Sequence, residues 1–107
     1  MHNEFSVVLS TAQSKQQAEL LCHKLLEQNL AACIQIHRTK SFYLWQGKIK
    51  QACEYCLIIK TKTNLFKKLS TVIKQHHTYD IPEIIQLPLT DGLKDYLNWM
   101  RGAKYGF

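Results

Sequence analysis

With 107 residues, 46% hydrophobic and 21% charged side chains, four glycines and two prolines, the chain has the make-up of one globular domain spanning residues 1–107, which excludes a disordered or fibrous protein. The formal net charge of +6 leaves binding to phosphates as a reading to be weighed. The opening MHNEFSVVLSTAQ has neither a basic flank nor a long apolar run, so we expect no signal peptide, no membrane span and a cytoplasmic protein whose four cysteines stay reduced.

In chain order, EFSVVLST reads as a first strand. Ser14 with Gln17 then has the spacing of a reciprocal capping box, which predicts a helix running to Asn29 with Ala18, Leu21, Cys22, Leu25 and Leu26 on its apolar face. His23 lies off that face and reads as solvated. ACIQIHR and SFYLWQ form a second strand, long or broken in the middle, which Gln46-Gly47 turns into a third. A second helix from about Asn64 to His76 buries Leu65, Leu69, Val72 and Ile73. Pro82 forbids helix at Ile81, so EIIQLP is a fourth strand. A last helix, capped by Thr90 or Asp91, buries Leu93, Leu97 and Met100. The order βαββαβ plus a terminal helix predicts an α+β, ferredoxin-like fold: a four-stranded antiparallel sheet with two helices on one face.

Two features of the third strand matter to function. Cys53 and Cys56 form C-x-x-C, but an offset of three on a strand puts them on opposite faces, where they can neither clamp one metal nor close a local disulfide. Cys56, Leu57, Ile58 and Ile59 are apolar on both faces, so the face opposite the helices needs a cover, and further copies of the chain are the natural one. The hairpin carrying Phe42, Tyr43 and Trp45 suits strand pairing between subunits.

LAACIQI (30–36), SFYLWQGKI (41–49), EYCLIIKT (54–61), HHTYDIPEIIQLP (76–88) and GLKDYLNW (92–99) together resemble the CutA family of divalent-cation tolerance proteins over nearly the whole chain. The resemblance implies a ferredoxin-like subunit in a homotrimer, similar in architecture to the PII signalling proteins, and a cytoplasmic protein associated with copper or other divalent cations. It implies no catalytic reaction. It places copper ligands at His76 and His77 and at a cysteine ending the first strand, a position held here by Ser10. The family's prolines after the second histidine and after TA are Thr78 and Gln13 here. A hydroxyl is a poor copper ligand beside a thiolate, whereas neutral imidazole suits divalent copper. Histidines in a last helical turn also oppose the helix dipole without any metal.

The resemblance further implies a cleft between subunits around Trp45, Lys48, Lys60, Tyr79 and Glu83, suited to a small anion or metabolite. The plainer reading makes Trp45 and Tyr79 interface core and pairs Lys60 with Glu83. Tyr55, Tyr96 and Trp99 read as packing. A PII-like small-molecule or signalling module, with incidental metal binding, is thus the alternative function. Nucleic-acid binding is disfavoured, because the first strand has no aromatic between Val7 and Ser10 and the third offers only Tyr55 for base stacking. No phosphate loop or nucleophile motif accompanies Asp80 and Glu83, so we expect no enzyme.

Overall fold

The computed structural model describes residues 3–102. Strand β1 (Phe5–Ala12) leads to helix α1 (Lys15–Glu27), then to the long hairpin of β2 (Cys33–Trp45) and β3 (Lys48–Lys62). A 3-10 turn (Thr63–Leu65) opens helix α2 (Phe66–His76), followed by β4 (Ile84–Pro88) and helix α3 (Lys94–Arg101). The sheet order is β2-β3-β1-β4 with every pairing antiparallel, the ferredoxin-like arrangement expected. β2 is continuous, and its turn places Gln46 at φ 50° and Gly47 at φ 76°, the left-handed pair that matches strand twist in a two-residue hairpin. The hairpin projects far beyond the helices and stretches the chain to 47 × 28 × 22 Å.

Alternation along the strands divides the sheet into two faces. Val8, Ala12, Leu57 and Ile59 point at α1 and α2, where Ala18, Leu21, Leu25, Leu69 and Ile73 meet them with no exposed surface. Each of the larger side chains buried there contributes about 1.5–3 kcal/mol. Helix α1 stops at Glu27, two residues short of the expected end. Asn29 takes φ 56°, and the Leu30 and Asn29 amides return to the Leu25 and Leu26 carbonyls at 2.9 and 3.1 Å, a Schellman cap sealed by buried Leu30. Leu26 falls outside the buried stripe and is exposed, unlike its expected place on the apolar face.

Helix α3 covers part of the other face. Lys60 Nζ donates to the Tyr96 hydroxyl at 3.2 Å and lies 5.2 Å from its ring centre, while Arg101 sits 5.4 Å from the Phe5 ring and pairs with Glu4 at 2.8 Å. Met100 is buried, but Leu93 is exposed and precedes the helix with no side-chain cap. The Asp91 carboxylate instead accepts the Gly92 amide, a local bond that spends the side chain before the helix begins. Beyond α3, the register aligns Val7 with Leu87 and Leu9 with both Ile85 and Ile58, leaving an apolar strip in which Ile85 and Leu87 are exposed. The two-sided apolar character of β3 therefore persists in the folded chain.

Candidate functional site

The segment after α2 is held by the start of α1 and the end of β1. Helix α2 ends at His76, and His77 turns to extended backbone at φ −84°, ψ 145°. The pairing of β4 with β1 stops at Ser10–Ile84, and His77 Nε2 reaches the next carbonyl, that of Thr11, at 2.7 Å. The other ring nitrogen, Nδ1, accepts the Tyr79 amide at 3.0 Å. A carbonyl only accepts and an amide only donates, so these bonds assign the proton to Nε2 and commit both ring nitrogens.

Gln17 makes the second tie. Ser14 Oγ does accept the Gln17 amide at 3.1 Å, forming half of the expected capping box. The Gln17 side chain does not turn back on Ser14. It donates to the His76 carbonyl at 3.0 Å and accepts the Thr78 amide at 3.3 Å, satisfying backbone groups released where α2 unwinds. Gln17 is buried beside Ala18, and its spacing of four before Leu21 and eight before Leu25 puts an amide in line with the apolar stripe, the signal the sequence offers for this longer reach.

The same segment walls a cleft of about 570 Å³ on the α3 side of the sheet. Thr11, Phe42, Tyr43, Glu54, Tyr79 and Glu83 line it. The Tyr79 hydroxyl donates to Glu54 Oε2 at 2.8 Å, and its ring lies 4.8 Å from that of His77. Burial, the Glu54 hydrogen bond and then the Glu54 charge push the Tyr79 hydroxyl up to about 12. Burial first, then Glu83 and Glu54, also raise the Cys56 thiol, so both carboxylates act on the middle of β3.

Of the five residues expected around an inter-subunit cleft, Tyr79 and Glu83 come together here. Trp45 and Lys48 flank the distant hairpin turn, both exposed, and Lys60 is engaged by Tyr96 rather than Glu83. Tyr96 accordingly has a polar task besides packing. Glu54 and Thr11 were not read as site residues. The alternation that separates Cys53 from Cys56 also places Glu54 on the cleft face, a signal available in the sequence.

As a metal centre, the donors form an incomplete set. The His76 ring makes no hydrogen bond or ion pair among the described residues, so its imidazole is available. His77 binds a metal only after releasing Thr11 or Tyr79. Ser10 has no exposed surface and points to the helix-covered face, and its Oγ lacks a hydrogen-bond partner among the described residues. Among the described residues no three His, Cys, Asp or Glu side chains converge to hold an ion. The residues thus fit a metal held chiefly by imidazole, open to further ligands, rather than a closed cage.

The family model for the CutA1 divalent ion tolerance protein matches residues 6–103. A divalent-cation tolerance protein CutA from Archaeoglobus fulgidus is 40% identical over 94% of this chain and 95% of its own length. One from Yersinia pestis is 42% identical over 91% of this chain and 82% of its own. The solved structure of the periplasmic divalent cation tolerance protein CutA from Archaeoglobus fulgidus superposes with a TM-score of 0.88 at 38% identity, covering 92% of this chain and 96% of that one. Family motif, identity along nearly the full length and fold agree: the chain belongs to the CutA1 family of divalent ion tolerance proteins.

Proposed function

We propose that this chain acts in divalent-cation tolerance by binding copper or another divalent cation through His76 and His77 in a cytoplasmic homotrimer, without catalysing a reaction. The His76 imidazole, without a partner among the described residues and next to a second imidazole at the end of α2, carries the reading. Imidazole suits divalent copper, which binds most tightly of the divalent first-row ions. With a hydroxyl at Ser10 in place of a thiolate, cupric ion is favoured over cuprous. Calorimetric titration with cupric chloride should show most of the affinity lost in His76→Ala. Wild-type binding in both the His76→Ala and the His77→Ala variants overturns the assignment.

The apolar strip of Val7, Leu9, Ile58, Ile85 and Leu87 supports the trimer, because it leaves large side chains in water on the face that α3 does not cover. In such an assembly Trp45 and Lys48, at the tip of the projecting hairpin, would complete a neighbouring copy's cleft around Tyr79 and Glu83, with Lys60 at its far side. Light scattering should return three times the 12.5 kDa chain mass. A monomer at micromolar concentration overturns it.

The cleft itself favours a second reading, a PII-like small-molecule module. Its volume of about 570 Å³ lies within the range of small-ligand sites, and aromatic side chains wall it beside a few polar groups.

A further inference from the structure

His77 has two ring nitrogens and two backbone partners, and the two partners are not equally replaceable. The Nε2 proton goes to the Thr11 carbonyl at 2.7 Å, and the Nδ1 lone pair takes the Tyr79 amide at 3.0 Å. Thr11 belongs to β1 and is paired with Cys56 of β3, so the sheet fixes its carbonyl. Tyr79 lies in the irregular stretch between α2 and β4, where neither strand nor helix holds its amide. Both bonds form within one chain and need no neighbouring copy.

A ring nitrogen that ligates a metal must offer a lone pair. Ligation through Nε2 would first move its proton to Nδ1, where it would face the Tyr79 N–H, and the Thr11 carbonyl would lose its donor. Both bonds are lost on that route. Ligation through Nδ1 moves no proton and gives up the Tyr79 bond alone, while Nε2–H stays on its carbonyl. A ligating histidine whose other nitrogen donates to a backbone carbonyl is also the arrangement that fixes ring orientation and tautomer in metal sites.

We infer that His77 ligates a divalent cation through Nδ1, with the Thr11 carbonyl as the group that positions the ring, and that ligation displaces the Tyr79 amide, so that Tyr79 responds to metal occupancy. This rests on the metal reading of His76 and His77. Ties on either side of the displaced bond confine the change. The Thr78 amide donates to Gln17 Oε1 at 3.3 Å, and the Tyr79 hydroxyl donates to Glu54 Oε2 at 2.8 Å. The main chain at Tyr79 therefore takes up the shift, and the Tyr79 ring, 4.8 Å from that of His77, carries it to Glu54 on β3.

Imidazole and amide NMR of the ¹⁵N-labelled protein in its native assembly, with diamagnetic zinc chloride added stepwise, tests the assignment. Zinc should move the His77 Nδ1 resonance while Nε2 keeps its proton, and hydrogen exchange at the Tyr79 amide should quicken about fivefold, the loss of one ordinary hydrogen bond. In His77→Ala, where that bond is already absent, zinc should leave Tyr79 exchange unchanged. A merely structural His77 gives no zinc-dependent Nδ1 signal. If the His76 ring moves with zinc but His77 Nδ1 and Tyr79 exchange do not, or if His77 Nε2 loses its proton, the inference is overturned and metal binding stands. If neither histidine ring responds to zinc, the metal reading falls and takes this inference with it.

Discussion

His77 closes the end of β1: its Nε2 holds the Thr11 carbonyl at 2.7 Å, one residue beyond the last β4 pairing at Ser10–Ile84. With Nδ1 on the Tyr79 amide, the ring satisfies two backbone groups that no strand or helix reaches. His77→Ala leaves both without that partner and should cost about 2 kcal/mol. His76→Ala, which loses no hydrogen bond made by its ring among the described residues, should stay within about 0.5 kcal/mol. Urea unfolding of the two variants at one protein concentration separates them. Equal midpoints would show that the His77 bonds do not contribute.

Gln17 offers a test in which two local preferences oppose each other. Glutamate at this position would keep or improve a capping box with Ser14, which on helix rules alone predicts a gain. In the fold, a carboxylate cannot donate to the His76 carbonyl and would face its oxygen instead. Gln17→Glu and Gln17→Ala should therefore both destabilise by about 1–2 kcal/mol, with Glu no better than Ala. A Gln17→Glu protein with a higher unfolding midpoint than wild type would make the cap the dominant role of this residue.

The contrast at Gln17 also marks how far the sequence could be read. Strand and helix order, the hairpin at Gln46-Gly47, the buried stripe of Leu69, Val72 and Ile73, and the two-faced β3 all follow from periodicity and turn chemistry, which act over a few residues. What was missed depends on partners far apart in the chain. Gln17 and His76 are 59 positions apart, and Lys60 and Tyr96 are 36 apart. Within one chain the hairpin carries Trp45 and Lys48 away from Tyr79, so their meeting in a cleft between subunits depends on a neighbouring copy, which periodicity along one chain does not describe. His76 and His77 look equivalent as neighbours, and only the register of β1 against β4 shows that one ring is engaged and the other available.

Tyr79 gives a pH signature. Its hydroxyl is pushed up from 10.0 to about 12, by burial first and then by Glu54. For an acid whose folded pKa is raised, the stability contribution is fully present below the unfolded value near 10 and is lost as pH rises through about 12. Of the five tyrosines, the one absent from Tyr79→Phe should be a late titrator when phenolate absorbance is followed. The difference between wild type and Tyr79→Phe should rise near pH 12. A difference centred near 10 would mean that neither the burial of the hydroxyl nor its Glu54 bond holds in solution.

Ser10 joins packing to metal chemistry. Its hydroxyl is buried without a partner among the described residues, on the face covered by α1 and α2, the layer from which α2 delivers His77 to the adjoining Thr11 carbonyl. A buried unpaired hydroxyl carries a desolvation cost, so Ser10→Ala should raise stability by about 1 kcal/mol in urea unfolding; a loss of similar size would mean that the hydroxyl is satisfied in solution. Ser10→Cys makes nearly the same change in polarity, since a free thiol packs as a small apolar group, and it adds a soft donor at the end of β1. Thiolate selects cuprous over cupric ion, so Ser10→Cys should tighten cuprous binding more than cupric, with the gain abolished by adding His76→Ala. Stability and metal preference report on different things here. If stability rises in both variants but cuprous affinity in Ser10→Cys matches wild type, residue 10 belongs to the core alone, and the imidazoles bind metal without it.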